Sequence, residues 1–310
     1  MRRIVSVSIG SSLRDGKAII NVCGEDFSIE RIGTNGDIQK AIDLIKELDG
    51  KVAAFGMGGI DLYIWGGKRR FILREAKKIA RAPKKTPIVD GSGLKNTLER
   101  RAIQNLAREN PDLFSGKNVL LTCALDRFGM AQALQDTGSQ VLYGDFMFVL
   151  GIPVPIYKLK VLENAVAILA PIVVQFPFKW LYPIGSNQEA APNLSKYEKF
   201  YDWADIIAGD YHMIRKYMPD DLSGKIILTN TITENDVDFL RMRNIEELIT
   251  TTPNLDGRSF GTNVMEGLIV ALLDKPLNEI TADDYNKVLD EIGFVPRRER
   301  FKENGFAMSN

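Results

Sequence analysis

Three glycine-bearing loops in the first third of the chain carry the residue types that could do chemistry. IGSS carries Ser11, GMGGID closes on Asp61, and VDGSGLKNT carries Asp90, Ser92, Lys95, Asn96 and Thr97. A lysine beside a cleft serves as an acid or base when burial lowers its pKa toward neutrality. Lys95 and Asp61 are therefore the candidate catalytic pair. Glycines let backbone amides approach a ligand, and hydroxyls adapt their hydrogen bonds to it. The candidate substrate contacts are accordingly Ser11, Gly58, Gly59, Asp90, Ser92, Asn96 and Thr97, joined by Thr252 and Asn263 from later loops. The same residue types also build ordinary turns and helix caps. In that reading Asp61 and Asp90 bind their own loop amides, and Asn96 or Thr97 caps a helix while Lys95 lies in solvent.

A second feature is LLTCALDRFGMAQALQDTGSQVLYGD (120–145), which reads strand, turn, helix, strand, acid. That order suits a dinucleotide-binding βαβ unit, in which phosphates rest on the turn and the acid accepts ribose hydroxyls. The turn CALDRFG keeps Gly129 at the third glycine position, where a small residue permits close helix packing. Cys123 and Asp126 stand where the other two glycines belong, and Asp126 repels a pyrophosphate. Arg127 could offset it or reach a phosphate. The candidate cofactor contacts are Thr122, Ala124, Arg127, Gly129, Asp145, Gly209 and Thr229. The cofactor would be NAD or NADP, with NAD favoured because an acid at Asp145 repels a 2′-phosphate. The competing reading is a Rossmann-type scaffold without dinucleotide.

Short β-branched runs alternate with helical patterns nearly throughout, the signature of parallel sheets with crossover helices. The runs predict strands at 3–9, 26–32, 51–55, 87–89, 118–123, 140–144, 204–208, 225–229 and 246–250. Helices are expected over about 37–48, 71–82, 95–109, 129–136, within 155–170, around 195–202, and at 211–217, 234–243, 264–273 and 282–292, the last behind Thr281 as N-cap. The fold class is α/β: an N-terminal α/β domain (1–116), a Rossmann-like domain (117–260) with a hydrophobic insertion at 150–190, and C-terminal helices with a loose tail (261–310). Ligands of such sheets bind beyond the carboxyl ends of the strands.

Composition narrows the classes. The chain has 310 residues, 26% charged and 45% apolar, with a formal net charge of zero. Without a basic stripe it is no dedicated nucleic-acid binder. Lys68-Arg69-Arg70 and Arg297-Arg298-Glu299-Arg300 read as solvated faces. Two cysteines, one histidine (His212) and no ligand spacing exclude zinc, and an apolar leader of secretory type is absent from the start, so reduced thiols and a cytoplasmic setting are expected. The uncharged run 164–178, broken by Pro171 and Pro177, is too short to span a bilayer. It predicts a buried helix or a subunit interface, with a hydrophobic channel or peripheral membrane contact through 152–182 as alternatives. Homo-oligomers are compatible with it.

DGSGLKNT, CALDRFGMA, ADIIAGD and GRSFGTNVMEGLIVALL, in this order, resemble the quinate/shikimate 5-dehydrogenase-like family over roughly 1–275. The resemblance implies a two-domain oxidoreductase with C-terminal helices returning to the first domain, Asn96 and Thr97 on substrate hydroxyls, Gly129 and Asp145 on the cofactor, and Gly209 in the nicotinamide-side loop. That family continues Asn-Thr with an aspartate that pairs with a lysine; here Leu98 follows, and the lysine motif has no counterpart. The catalytic pair is therefore not carried over. Two functions remain in view. One is NAD(P)-dependent oxidoreduction of a small hydroxylated or carboxylated substrate between the domains. The alternative is a non-redox ligand-binding or regulatory protein, or a transferase, on a Rossmann-like scaffold with a degenerate phosphate turn.

Overall fold

The computed structural model describes residues 1–66, 69–176, 196–230, 232–252, 254–255 and 258–301. In the first lobe, β1 (Arg2–Ser8) is a central strand, and its five residues from Ile4 to Ser8 are buried because neighbours cover both faces. β2 (Gly16–Val22) alternates exposed and buried positions as an edge strand does, and pairs antiparallel with β3 (Glu25–Gly33). Helix α1 (Ile38–Leu48) follows, capped by Asp37, whose carboxylate accepts from the Lys40 amide at 2.9 Å. β4 (Ala54–Gly58) lies parallel to β1. The hairpin β5 (Tyr63–Gly66) and β6 (Arg69–Ile72) leads into α2 (Arg74–Ala80) and the short β7 (Ile88–Val89). The sheet order is β2-β3-β1-β4-β7, parallel except at β2.

α3 (Ser92–Glu109) carries the chain to the second lobe. There β8 (Asn118–Leu121), α4 (Phe128–Asp136), β9 (Gln140–Tyr143), α5 (Asp145–Phe148) and α6 (Leu159–Val173) come first. α7 (Glu198–Trp203), β10 (Ile206–Gly209), α8 (Tyr211–Tyr217), β11 (Ile226–Thr229), α9 (Glu234–Arg241) and β12 (Glu247–Thr250) complete the alternation. A small hairpin, β13 (Asn254–Leu255) with β14 (Arg258–Ser259), precedes α10 (Thr262–Leu273), which returns to pack on β4, β1 and α3. α11 (Ala282–Glu291) lies on α3 behind its Thr281 cap, and β15 (Arg297–Arg300) crosses back to pair antiparallel with β12. The second sheet runs β15-β12-β11-β10-β8-β9. The protein is a two-lobed α/β molecule, with apolar clusters on both faces of each sheet.

Several local expectations need correction. The strand expected at 51–55 starts three residues later and runs through Gly58, so Gly56-Met57-Gly58 is strand, not loop. The basic helix expected from 71 begins at Arg74, because Arg69–Ile72 pairs with Tyr63–Gly66 instead. α3 begins at Ser92, which puts Lys95, Asn96 and Thr97 on the helix itself. β2 is an additional strand, its alternation masked by apolar Ile19 at an exposed position between Ala18 and Ile20. The tail is not loose through 297–300: alternate residues of Arg297–Arg300 meet Glu247, a buried acid on the neighbouring strand. Its continuation, 302–310, lies outside the described residues, as does 177–195, including Pro177 of the apolar run and the last third of the expected hydrophobic insertion.

Candidate functional site

The carboxyl ends of both sheets supply loops to one junction, and a chain of charges crosses it. Lys95, buried on the first turn of α3, reaches the Asp61 carboxylate after β4 at 3.1 Å and the Asp126 carboxylate after β8 at 3.6 Å. Arg127, 1% exposed, pairs with Glu99 one turn along α3 and with Asp210 after β10 at 3.0 Å, and its Nε lies 3.8 Å from Asp126. Asn230, after β11, adds an amide 3.5 Å from Asp210. Four carboxylates therefore face two cations across the lobes.

Electrostatics fix the charge states. Burial lowers the Lys95 ammonium, but Asp61 and Asp126 outweigh it and hold the group well above the ordinary lysine range. Burial raises Asp61, with Lys95 opposing. Burial likewise pushes Glu99 up to about 7 against the pull of Arg127. Asp210 is driven the other way, to about 2, because Arg127, His212 and Lys95 overcome its burial. Some hydrogen-bonding capacity stays unmet: Asp126 Oδ1, Glu99 Oε2 and Arg127 Nε are buried and find no hydrogen-bond partner among the described residues. Thr250 and Thr251, at the end of β12, keep unpartnered hydroxyls under the same condition.

The turn of the βαβ unit is filled from within. Asp145 is 1% exposed, and its carboxylate accepts from the Ala124 amide at 3.0 Å, the Leu125 amide at 3.0 Å and the Cys123 thiol at 3.4 Å. Those amides form the nest in which a phosphate would rest, and a carboxylate of the chain occupies it. Burial raises Asp145 to about 6, the two amides opposing. Asp145 is therefore a structural cap rather than a ribose contact. Arg127, expected to reach a phosphate, is locked between Glu99 and Asp210. Gly129 does serve close packing, but against α3: a Cβ there would overlap the Asn96 carbonyl oxygen. Gly209, at φ 129°, passes so near the Thr122 hydroxyl that a side chain would strike it. These residues do not fit a dinucleotide.

The other candidates divide. Asp90 caps its own loop, accepting from Leu62 N at 2.7 Å, Ser92 N at 3.1 Å and Ser92 Oγ at 2.7 Å. Ser11 accepts from the Leu13 amide, and Thr97 donates to the Gly93 carbonyl within α3. Gly58 is pressed against Ser8, while Gly59 turns beside Gly10 at φ 69°. Asn263 sits over Gly56 and Gly91 and donates to Ser6 Oγ at 2.7 Å, inside the first lobe rather than at the junction. Thr122, Thr229 and Thr252 donate to the carbonyls of Ala208, Gly209 and Asn230, tying the strand ends together. Lys95, Asp61 and Arg127 thus converge across the lobes, and Asp126, Glu99, Asp210 and Asn230 complete a network that sequence reasoning did not assemble. One signal was present: Lys95 and Glu99 stand at i, i+4 on one helix, and Asp126-Arg127 offers the complementary pair. A depression of about 730 Å³ lies elsewhere, beyond the amino ends of β1 and β4, lined by Arg2, Ala53, Lys84, Lys85 and Lys275, and belongs to a different face.

Residues 93–301 match the family model described as a domain of unknown function (DUF8754), and residues 3–90 match a second one (DUF8753). No curated protein matches the chain. Similar solved structures include an ABC transporter solute binding protein from Burkholderia multivorans (12% identity, 88% of this chain and 92% of that one, TM-score 0.36). A glucose-galactose binding protein from Geobacillus stearothermophilus (9%, 99% and 99%, 0.37) and an L-tryptophan dehydrogenase from Nostoc punctiforme (11%, 94% and 80%, 0.37) are two others. Likenesses this shallow bear on neither ligand nor reaction. The expected membership of the quinate/shikimate dehydrogenase-like family is corrected: the family models that match the chain are others. The NAD(P)-dependent oxidoreductase expectation is corrected with it, on the occupied phosphate nest and the locked arginine.

Proposed function

The chain belongs to the DUF8754 family, and from its inter-lobe junction we propose that it binds a small polar molecule without redox chemistry. The observation that carries this reading is the pair of buried carboxylate oxygens, Asp126 Oδ1 and Glu99 Oε2, left without donors beside the cations that cross the lobes. Unmet buried acceptors favour a ligand that brings hydrogen-bond donors. The excess of carboxylates favours a neutral polyol or an amine over an anion. Lys95, held as an ammonium by Asp61 and Asp126, is suited to holding a ligand oxygen and unsuited to abstracting a proton at neutral pH. Because Lys95 and Arg127 bridge acids from both lobes, a ligand bridging the same groups would favour the closed arrangement over an open one.

The test is calorimetric titration of the purified chain with neutral monosaccharides, their amino-substituted counterparts, inorganic phosphate and NADH. Amine-bearing ligands should bind most tightly, neutral polyols next, and the two anions not at all. Asp126→Asn should weaken the amine-bearing ligand by about tenfold or more, the size of a charge-assisted hydrogen bond. Binding of NADH or phosphate with no response to polyols or amines would sink the reading.

A further inference from the structure

α6 is apolar on two opposite faces, and only one of them is covered. Leu159, Leu162, Val166 and Ala170 are buried against the second lobe and the β5–β6 hairpin, where Ile64 and Phe71 join their cluster. The opposite face carries Val161, Ile168 and Ile172, with Ile168 73% and Ile172 60% exposed, and Leu169 is part-exposed on its flank. Ile152 and Val154, in the segment leading to the helix, extend this surface at 48% exposure each. The expectation of a buried helix is thus met on one side only. A helix that is apolar all round needs an apolar phase on every side, and a continuous exposed patch of this kind marks an interaction surface. Among the described residues no helix is long and apolar enough to cross a membrane.

Charge at both ends of the patch says what could cover it. At the carboxyl end, the Val174 carbonyl accepts from the Arg74 amide at 3.0 Å, which ties α6 to the start of α2. That contact sets exposed Arg74 at the carboxyl end of the helix, with exposed Lys77 on the next turn of α2. At the amino end stand exposed Lys158 and Lys160. The nearby acids Glu75 and Glu163 are half-buried, and Glu163 is paired with Lys160 at 3.1 Å. An apolar helix face rimmed by cations whose stems run along the surface is the arrangement that lies in a headgroup layer. A second copy of the chain is disfavoured, because a two-fold pairing of this patch sets basic ends against basic ends in either direction.

We propose that the outward face of α6, with the basic residues at its two ends, docks on a membrane surface rich in anionic lipid. The apolar side chains enter the acyl boundary, and Arg74, Lys77, Lys158 and Lys160 meet the headgroups.

Flotation of the full chain with vesicles tests this. The protein should float with phosphatidylcholine vesicles containing about 30% phosphatidylserine, and much less with phosphatidylcholine alone or at high salt. Ile168→Ser with Ile172→Ser should lower the partition coefficient at least about tenfold, and Arg74→Glu with Lys158→Glu by at least about tenfold as well. Circular dichroism melts should match the wild type, since these side chains face outward. A chain that stays wholly soluble with the anionic vesicles overturns the proposal, and so does flotation unchanged by the isoleucine pair. A concentration-dependent dimer in light scattering, abolished by the same pair, would assign the face to self-association instead.

Discussion

Two contacts join the lobes, and they are built from opposite materials. At the strand ends, Lys95 and Arg127 reach acids from both sheets, and Asp126 and Glu99 each keep one buried oxygen unmet. At the other contact, α6 lays apolar side chains on β5 and β6 and leaves an equal apolar face outside. The charged junction is directional: each partner is fixed by a distance, and removing one member strands another in a low-dielectric setting. The apolar contact is non-directional, so its buried half holds the lobe while its outer half contributes nothing to folding. Substitutions in the two regions should therefore separate stability from surface binding.

The largest effect falls on Arg127→Ala, which leaves Glu99 and Asp210 without their cation and should cost about 3–5 kcal/mol in urea unfolding. Arg127→Lys should recover part of that, through one charge without the fork. Next comes a pH signature within the turn. Asp145 sits at about 6 in the folded chain, above the ordinary value of about 4 in the unfolded one. Its contribution is fully present below about pH 4 and is lost as pH rises through about 6, roughly 3 kcal/mol in all. The stability of the wild type relative to Asp145→Asn should therefore fall between those values, while that relative to Asp210→Asn should not. Asp210, held near 2, contributes above about pH 4 and loses that contribution as pH falls toward 2. A smaller loss, about 2 kcal/mol, is expected for Lys95→Met, which leaves Asp61 and Asp126 facing each other without their ammonium. Ile168→Ser should change the unfolding free energy by no more than about 0.5 kcal/mol. A loss comparable with that of Lys95→Met would show that the outer face is structural and erase the distinction.

The same comparison explains what could be read in advance. The β-branched runs of β1, β8, β10 and β11 are buried on both faces and declare themselves in a few adjacent residues. Thr281 and Asp284 form a capping box within one helical turn. The junction was legible only in its parts. Lys95 and Asp61 stood out as chemistry-bearing residues, yet their joining to Asp126 depends on how α3 meets α4, a contact settled by the missing side chain of Gly129. Asp145 misled for a related reason. Its place after the second strand is the one a ribose-binding acid takes, but its burial under the turn, against Ala124 and Leu125, is a matter of packing.

By itself the sequence determined the alternation of strands and helices and the α/β class, because these follow from local period and burial preference. It also marked the apolar stretch around α6 as unusual. Only the tertiary structure decided that the phosphate nest holds a carboxylate of the chain, that Lys95 remains an ammonium between two acids, and that α6 packs on a distant hairpin through one face while the other looks outward. Each of those depends on residues far apart in the chain whose distances are set by packing, and packing is a property of the folded whole.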